Sequence, residues 1–167
     1  MTARGVLFAL APADQWRLHH ASQEGEEAVW RLIFEELEEE CPAEWQFHTD
    51  KAWDAIHRCL TDGDLTDDNG EPPLNLAILA GVHLVHGDSG VVSVCPASKV
   101  PAVAQALQGV TEAWMRERYF RLDPKAYGMP LSEEDFAYTW ANLQGLSEFY
   151  ARAAKAGDRA VVFTVDF

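Results

Sequence analysis

Apolar and polar positions follow two different periods along this chain. The run Val6–Leu10 is uninterrupted and apolar, opened by Gly5 and closed by Ala11 and Pro12, which is the pattern of a short buried strand. Pro12 then suits the first turn of a helix carrying Trp16 and Leu18. From residue 24 to 40 the period is helical, with Val29, Trp30, Ile33, Phe34 and Leu37 recurring at intervals of three and four. Thr49 reads as the N-cap of a helix from Asp50 to about Leu60, with Gly63 placed to end it.

The segment from Asp62 to Pro73 is polar and rich in turn residues, hence a surface loop, and the apolar link PLNLAILAG follows it. Two β-rich runs, Val82–His86 and Val91–Cys95, flank the turn tetrapeptide GDSG and predict a hairpin. Ser98 can cap a helix through Leu107. A second helical run carries Trp114, Met115, Tyr119 and Phe120 until Pro124, Gly128 and Pro130 interrupt it. Ser132 followed by Asp135 resembles a capping box, opening a long helix with an apolar stripe of Phe136, Trp140, Leu143, Leu146 and Tyr150. Gly157 ends it, and Arg159–Phe167 is a final strand.

Strands at both termini, a central hairpin and helices between them predict an α+β fold: one mixed or antiparallel sheet covered by helices. No composition break or repeat divides the chain, so residues 1–167 read as a single domain. At that length, with six Trp, eight Phe and four Tyr, one hydrophobic core needs no metal or disulfide staple.

Charge adds a second layer. Thirteen Lys and Arg stand against 27 Asp and Glu, a net charge of −14, which disfavours nucleic acid as a partner and favours basic ones. Half of that excess sits on the 24–40 helix, whose Glu24, Glu26, Glu27, Glu35, Glu36, Glu38, Glu39 and Glu40 face a single Arg31. Cys41, Cys59 and Cys95 form no CxxC and are odd in number, as expected of free thiols in a reducing compartment. The N-terminal apolar run is too short for a signal peptide, and no stretch approaches a membrane span. The expected address is the cytoplasm, with no membrane association.

Candidate chemistry concentrates in TDKAWDAIHRCLTDG. At about 100° per residue, Trp53, Ile56 and Leu60 share one helical face, while Asp50, Asp54 and His57 cluster on an adjacent one. A carboxylate one turn from an imidazole can orient a general base; the competing reading is a boundary histidine held by a neighbouring acid. Cys59 lies too far around the helix to pair with His57. In HLVH, His83 and His86 are three apart on a strand and point to opposite faces, so without a bulge they cannot chelate one ion. The acidic loop fails as an EF-hand, with Asp67 where the turn glycine belongs and Pro73 where the bidentate Glu belongs. GDSG is a hairpin turn rather than a protease nucleophile loop, and no phosphate-binding glycine motif occurs. The sequence thus predicts neither metal nor cofactor.

Three blocks, DKAWDAIHRCLTDG, EPPLNLAILAG and YGMPLSEEDFAYTWANLQGLSEFY, resemble the bacterial YfbM-like family. Asp50, Lys51, Trp53, His57, Leu60, Thr61 and Gly63 carry the first, and Pro73, Leu74, Ala77, Ile78 and Gly81 the second. Ala80 stands where the first glycine of a pair is expected. The resemblance implies a compact α+β domain and lends no reaction. Two functions from different classes follow. One is a non-catalytic binding domain with an acidic surface that receives a basic protein partner. The other is a small-molecule enzyme with a pocket around Trp53 and His57, in which His57 and Asp54 act as catalytic candidates and Trp53, His57 and Asp50 bind the ligand, with His83 or His86 nearby. A stand-alone metal protein is a third, weaker reading.

Overall fold

The computed structural model describes residues 3–167. Five strands form one antiparallel sheet in the order β2-β1-β5-β4-β3: β1 Gly5–Leu10, β2 Gln46–Asp50, β3 Val82–Gly87, β4 Gly90–Cys95 and β5 Ala160–Asp166. Both terminal strands therefore lie at its centre, paired from Val6↔Thr164 to Leu10↔Ala160. Their apolar runs have no polar face because helices cover the sheet on both sides. Phe8, Leu10 and Val162 face α1 (Pro12–Glu24) and α2 (Glu26–Leu32). Leu7, Ala9, Val161, Phe163 and Val165 face the larger core, built with α4 (Trp53–Leu60), α5 (Val100–Gln108), α6 (Glu112–Tyr119) and α8 (Glu133–Ala156). A four-residue helix, α7 (Pro124–Tyr127), closes that side.

Most helix boundaries follow the local signals. Pro12 occupies the first turn of α1, Ser132 Oγ accepts from Asp135 N at 3.0 Å, and Gly157 ends α8 at φ +88°. The 24–40 helix is divided. Glu24 closes α1, Gly25 turns the chain at φ +118°, and α2 runs through a π-helical turn, Ile33–Leu37, into a last turn, α3 (Glu38–Glu40).

Three local expectations are corrected. Gln46–Asp50 is a strand rather than the lead-in to a helix: Thr49 is buried in it, and its hydroxyl donates to Gly5 O at 3.0 Å instead of capping. α4 consequently begins at Trp53, after Asp50 has turned at φ +50°. Ser98 does not cap α5, whose N-cap is Lys99.

Candidate functional site

Every residue of α4 is buried, charged ones included. A helix in that position must satisfy its polar side chains inside the protein, and the way it does so defines the site. Trp53, 1% exposed, lies against Phe163 with ring centroids 5.5 Å apart and donates Nε1–H to Ala3 O at 3.1 Å. Gly5 makes that approach possible, since a Cβ there would stand 2.9 Å from the indole and 2.7 Å from the Phe163 ring.

The expected Asp54–His57 pairing does not form. Asp54 Oδ1 accepts from Arg58 Nε at 2.6 Å in a buried i,i+4 ion pair. The remaining guanidinium donors reach Gly63 O and Ala126 O, at 3.3 and 3.1 Å, tying the end of α4 to α7. Asp50 turns away from both: its Oδ2 accepts from Tyr138 of α8 at 2.7 Å, and its Oδ1 lies 3.1 Å from Arg4 Nε.

His57 is not a boundary residue either, being 1% exposed. Its Nε2 meets two acceptors, Thr66 O at 2.7 Å and Asn69 Oδ1 at 2.9 Å, so this nitrogen carries the proton. Burial lowers the imidazole's pKa, against smaller opposing effects of the Asn69 and Thr66 bonds and the charges of Asp54 and Asp62. A histidine shifted down from its ordinary 6.5 is neutral at pH 7.

The acidic loop is thereby pinned onto α4. Asn69 is its hub, donating to Thr61 Oγ1 at 3.1 Å, to Asp64 O at 3.0 Å and to the Asp62 carboxylate. Thr61 Oγ1 in turn donates to His57 O at 2.7 Å. Held this way, the loop carries Asp67 across to the β3 edge.

β3 changes the reading of HLVH. A register irregularity between His83 and Val85 breaks the simple alternation, and the His83 and His86 rings stack with centroids 5.2 Å apart. Asp67 Oδ2 faces both, 3.0 Å from His86 Nε2 and 3.8 Å from His83 Nδ1, while His83 Nε2 donates to Leu79 O at 2.6 Å. The expectation that the two histidines point apart is corrected by that bulge. Even so, no three His, Cys, Asp or Glu side chains among the described residues are placed to hold a metal ion.

Between loop and hairpin lies a cleft of about 340 Å³ lined by Leu65, Thr66, Asp67, His86, Val91 and Phe167, with Trp53 and Leu79 beneath. Of the residues expected from sequence, Trp53 and His86 line it. His57 supports its loop wall from behind. Asp54 and Asp50 take part in neither. Asp67, Asn69 and Phe167 carried no local signal: Asp67 is one of five acids in its loop, and its partners are set by a bulge and a long-range fold.

Residues 1–164 match the family described as a domain of unknown function, DUF1877. The chain belongs to that family. A solved structure described as a protein of unknown function, YfbM from Escherichia coli, superimposes with a TM-score of 0.69 at 18% identity. The alignment covers 97% of this chain and 99% of that one, so the whole domain shares its fold. No curated protein matches the chain.

The other nucleophile candidates of the sequence are buried or engaged. The Cys59 and Cys95 thiols are buried and pushed up to about 12 by desolvation, far from reactive thiolates. Ser89 of GDSG is held by Trp30 Nε1 at 3.1 Å and by the Glu26 carboxylate. No helix among the described residues is long and apolar enough to cross a membrane.

Proposed function

We propose that this domain is a non-catalytic interaction module whose α1/α2 layer receives a basic partner. The observation that carries the reading is an aromatic face set among carboxylates. Trp30 and Phe34 stack with centroids 5.3 Å apart, Phe34 is 43% exposed, and seven of the eight glutamates between Glu24 and Glu40 are exposed. An aromatic centre with a charged rim is how protein interfaces concentrate binding energy, and its negative rim selects Lys- or Arg-bearing partners. Trp16 on α1, 65% exposed, adds a third aromatic to the same layer.

The enzymatic alternative centred on His57 and Asp54 draws no support from their surroundings, because the imidazole donor and the carboxylate are both spent inside the protein. Three free thiols fit a reducing compartment, which keeps the cytoplasm as the proposed address.

The test uses a fluorescent amphipathic Leu–Lys peptide as probe. Saturable binding that weakens with salt, and drops about tenfold or more in a Phe34→Ala, Glu35→Gln, Glu39→Gln variant, is expected. Binding by the variant equal to the parent's overturns the proposal, as does a parent that binds no basic peptide.

A further inference from the structure

We infer that the cleft between the acidic loop and the β3–β4 hairpin is a binding site for a small organic cation, a primary amine on an apolar body. This goes beyond the interaction surface on α1/α2 and involves none of its residues.

Three independent features of the cleft point the same way. The first is its chemistry. Its floor and lip are apolar (Trp53, Leu65, Leu79, Val91 and Phe167), while its ionisable lining is Asp67 and His86, with no lysine or arginine. Both histidine contacts of Asp67 fall on Oδ2, so Oδ1 carries neither of them. A carboxylate with an oxygen to spare beside an apolar wall is the complement of an ammonium group on a hydrocarbon stem. The chain's net charge of −14 favours the same sign of ligand and disfavours an anion.

The second feature is preorganisation. The loop wall is not free to collapse into the cleft, because His57 holds Thr66 O and Asn69 Oδ1 while Asn69 gathers Thr61, Asp62 and Asp64. The opposite wall is set by the β3 bulge and by His83, whose ring is fixed through Leu79 O. A site whose walls are fixed before binding loses less entropy when a ligand arrives.

The third feature is access and size. Phe167 is 59% exposed at the lip, and the side chains of Asp67 and His86 are 30% and 57% exposed. A ligand can therefore reach the carboxylate from solvent while its apolar part covers Val91 and Leu79. A volume of about 340 Å³ sits at the small end of ligand pockets and suits a compact amine.

The experiment titrates the intact protein at pH 8 with phenethylamine, with its neutral counterpart 2-phenylethanol, and with the anion phenylacetate. Calorimetry measures affinity, and ¹H–¹⁵N spectra report the indole N–H of Trp53, a residue that lines the cleft. Saturable phenethylamine binding with a shift of the Trp53 signal is expected, together with binding of the alcohol and the anion weaker by about tenfold or more. Asp67→Asn is expected to abolish that preference, and Val91→Phe to weaken the amine by filling the cleft. Glutamine replacements at Glu35 and Glu39 should leave amine binding unchanged, which separates this site from the peptide surface. Absence of phenethylamine binding overturns the inference. So do equal affinity for the alcohol, an unaffected Asp67→Asn variant, or shifts confined to Trp30 and Trp16.

Discussion

Replacing His57 by alanine tests whether the imidazole is the fastener of the acidic loop. The substitution removes one buried donor shared between Thr66 O and Asn69 Oδ1, and it empties the space of a ring that is 1% exposed. The net value of the hydrogen bonding is about 1 kcal/mol, and the cavity adds about 1–2 kcal/mol, below the cost of deleting a leucine because the ring is smaller and polar. Thr66 is exposed, so water can reach its carbonyl once the loop lifts, which relieves part of the penalty for unpaired acceptors. The expected loss is therefore about 2–3 kcal/mol, a large fraction of an ordinary domain's stability but not all of it. Urea unfolding followed by circular dichroism measures the global loss, and hydrogen exchange of residues 61–73 measures the local one. Exchange there should rise more than in β1 or β5, because the loop loses its clasp while the sheet keeps its ladder. A double-mutant cycle with Asn69→Ala should return a coupling of about 1 kcal/mol. A loss below about 1 kcal/mol with unchanged loop exchange and no coupling would refute the clasp.

Two further outcomes follow from the same structure. Because burial lowers the His57 pKa, its contribution to stability is complete above about pH 6.5 and declines as pH falls below it, where the unfolded chain binds a proton the folded chain refuses. The slope is at most about 1.4 kcal/mol per pH unit, and urea melts between pH 5 and 8 should show His57→Gln losing it; identical slopes would contradict the assignment. Gly90→Ala should cost about 3 kcal/mol or more by the same assay, since Gly90 sits at φ +139° and a Cβ would lie 2.1 Å from Val165 O. A loss under about 1 kcal/mol would mean that the hairpin turn relaxes freely.

What the sequence determined by itself was everything written in local patterns. The apolar runs Val6–Leu10 and Val161–Phe163 announced buried strands, because neither offers a polar face to water. GDSG specified the hairpin turn, and Ser132, the stripe from Phe136 to Tyr150 and Gly157 specified α8 from cap to cap. Helical period also put Trp53 on one apolar face with Ile56 and Leu60, all three of which are buried.

Tertiary structure alone decided the rest. QFHTD is too polar and short to declare itself a strand; pairing with β1 and the bond from Thr49 to Gly5 O make it one, and that shifts the start of α4. Helical periodicity placed Asp50, Asp54 and His57 on one face, yet they do not pair with one another: Asp54 takes the i,i+4 Arg58 of its own helix, whereas Asp50 finds Tyr138 and His57 finds Thr66 and the Asn69 hub. The partners of Asp50 and His57 are set by which segments the topology brings within hydrogen-bond distance, and no helical spacing encodes that. The same holds for His83 and His86. Strand alternation sends them to opposite faces, but register belongs to two strands together, and the irregularity in β3 against β4 turns both toward Asp67.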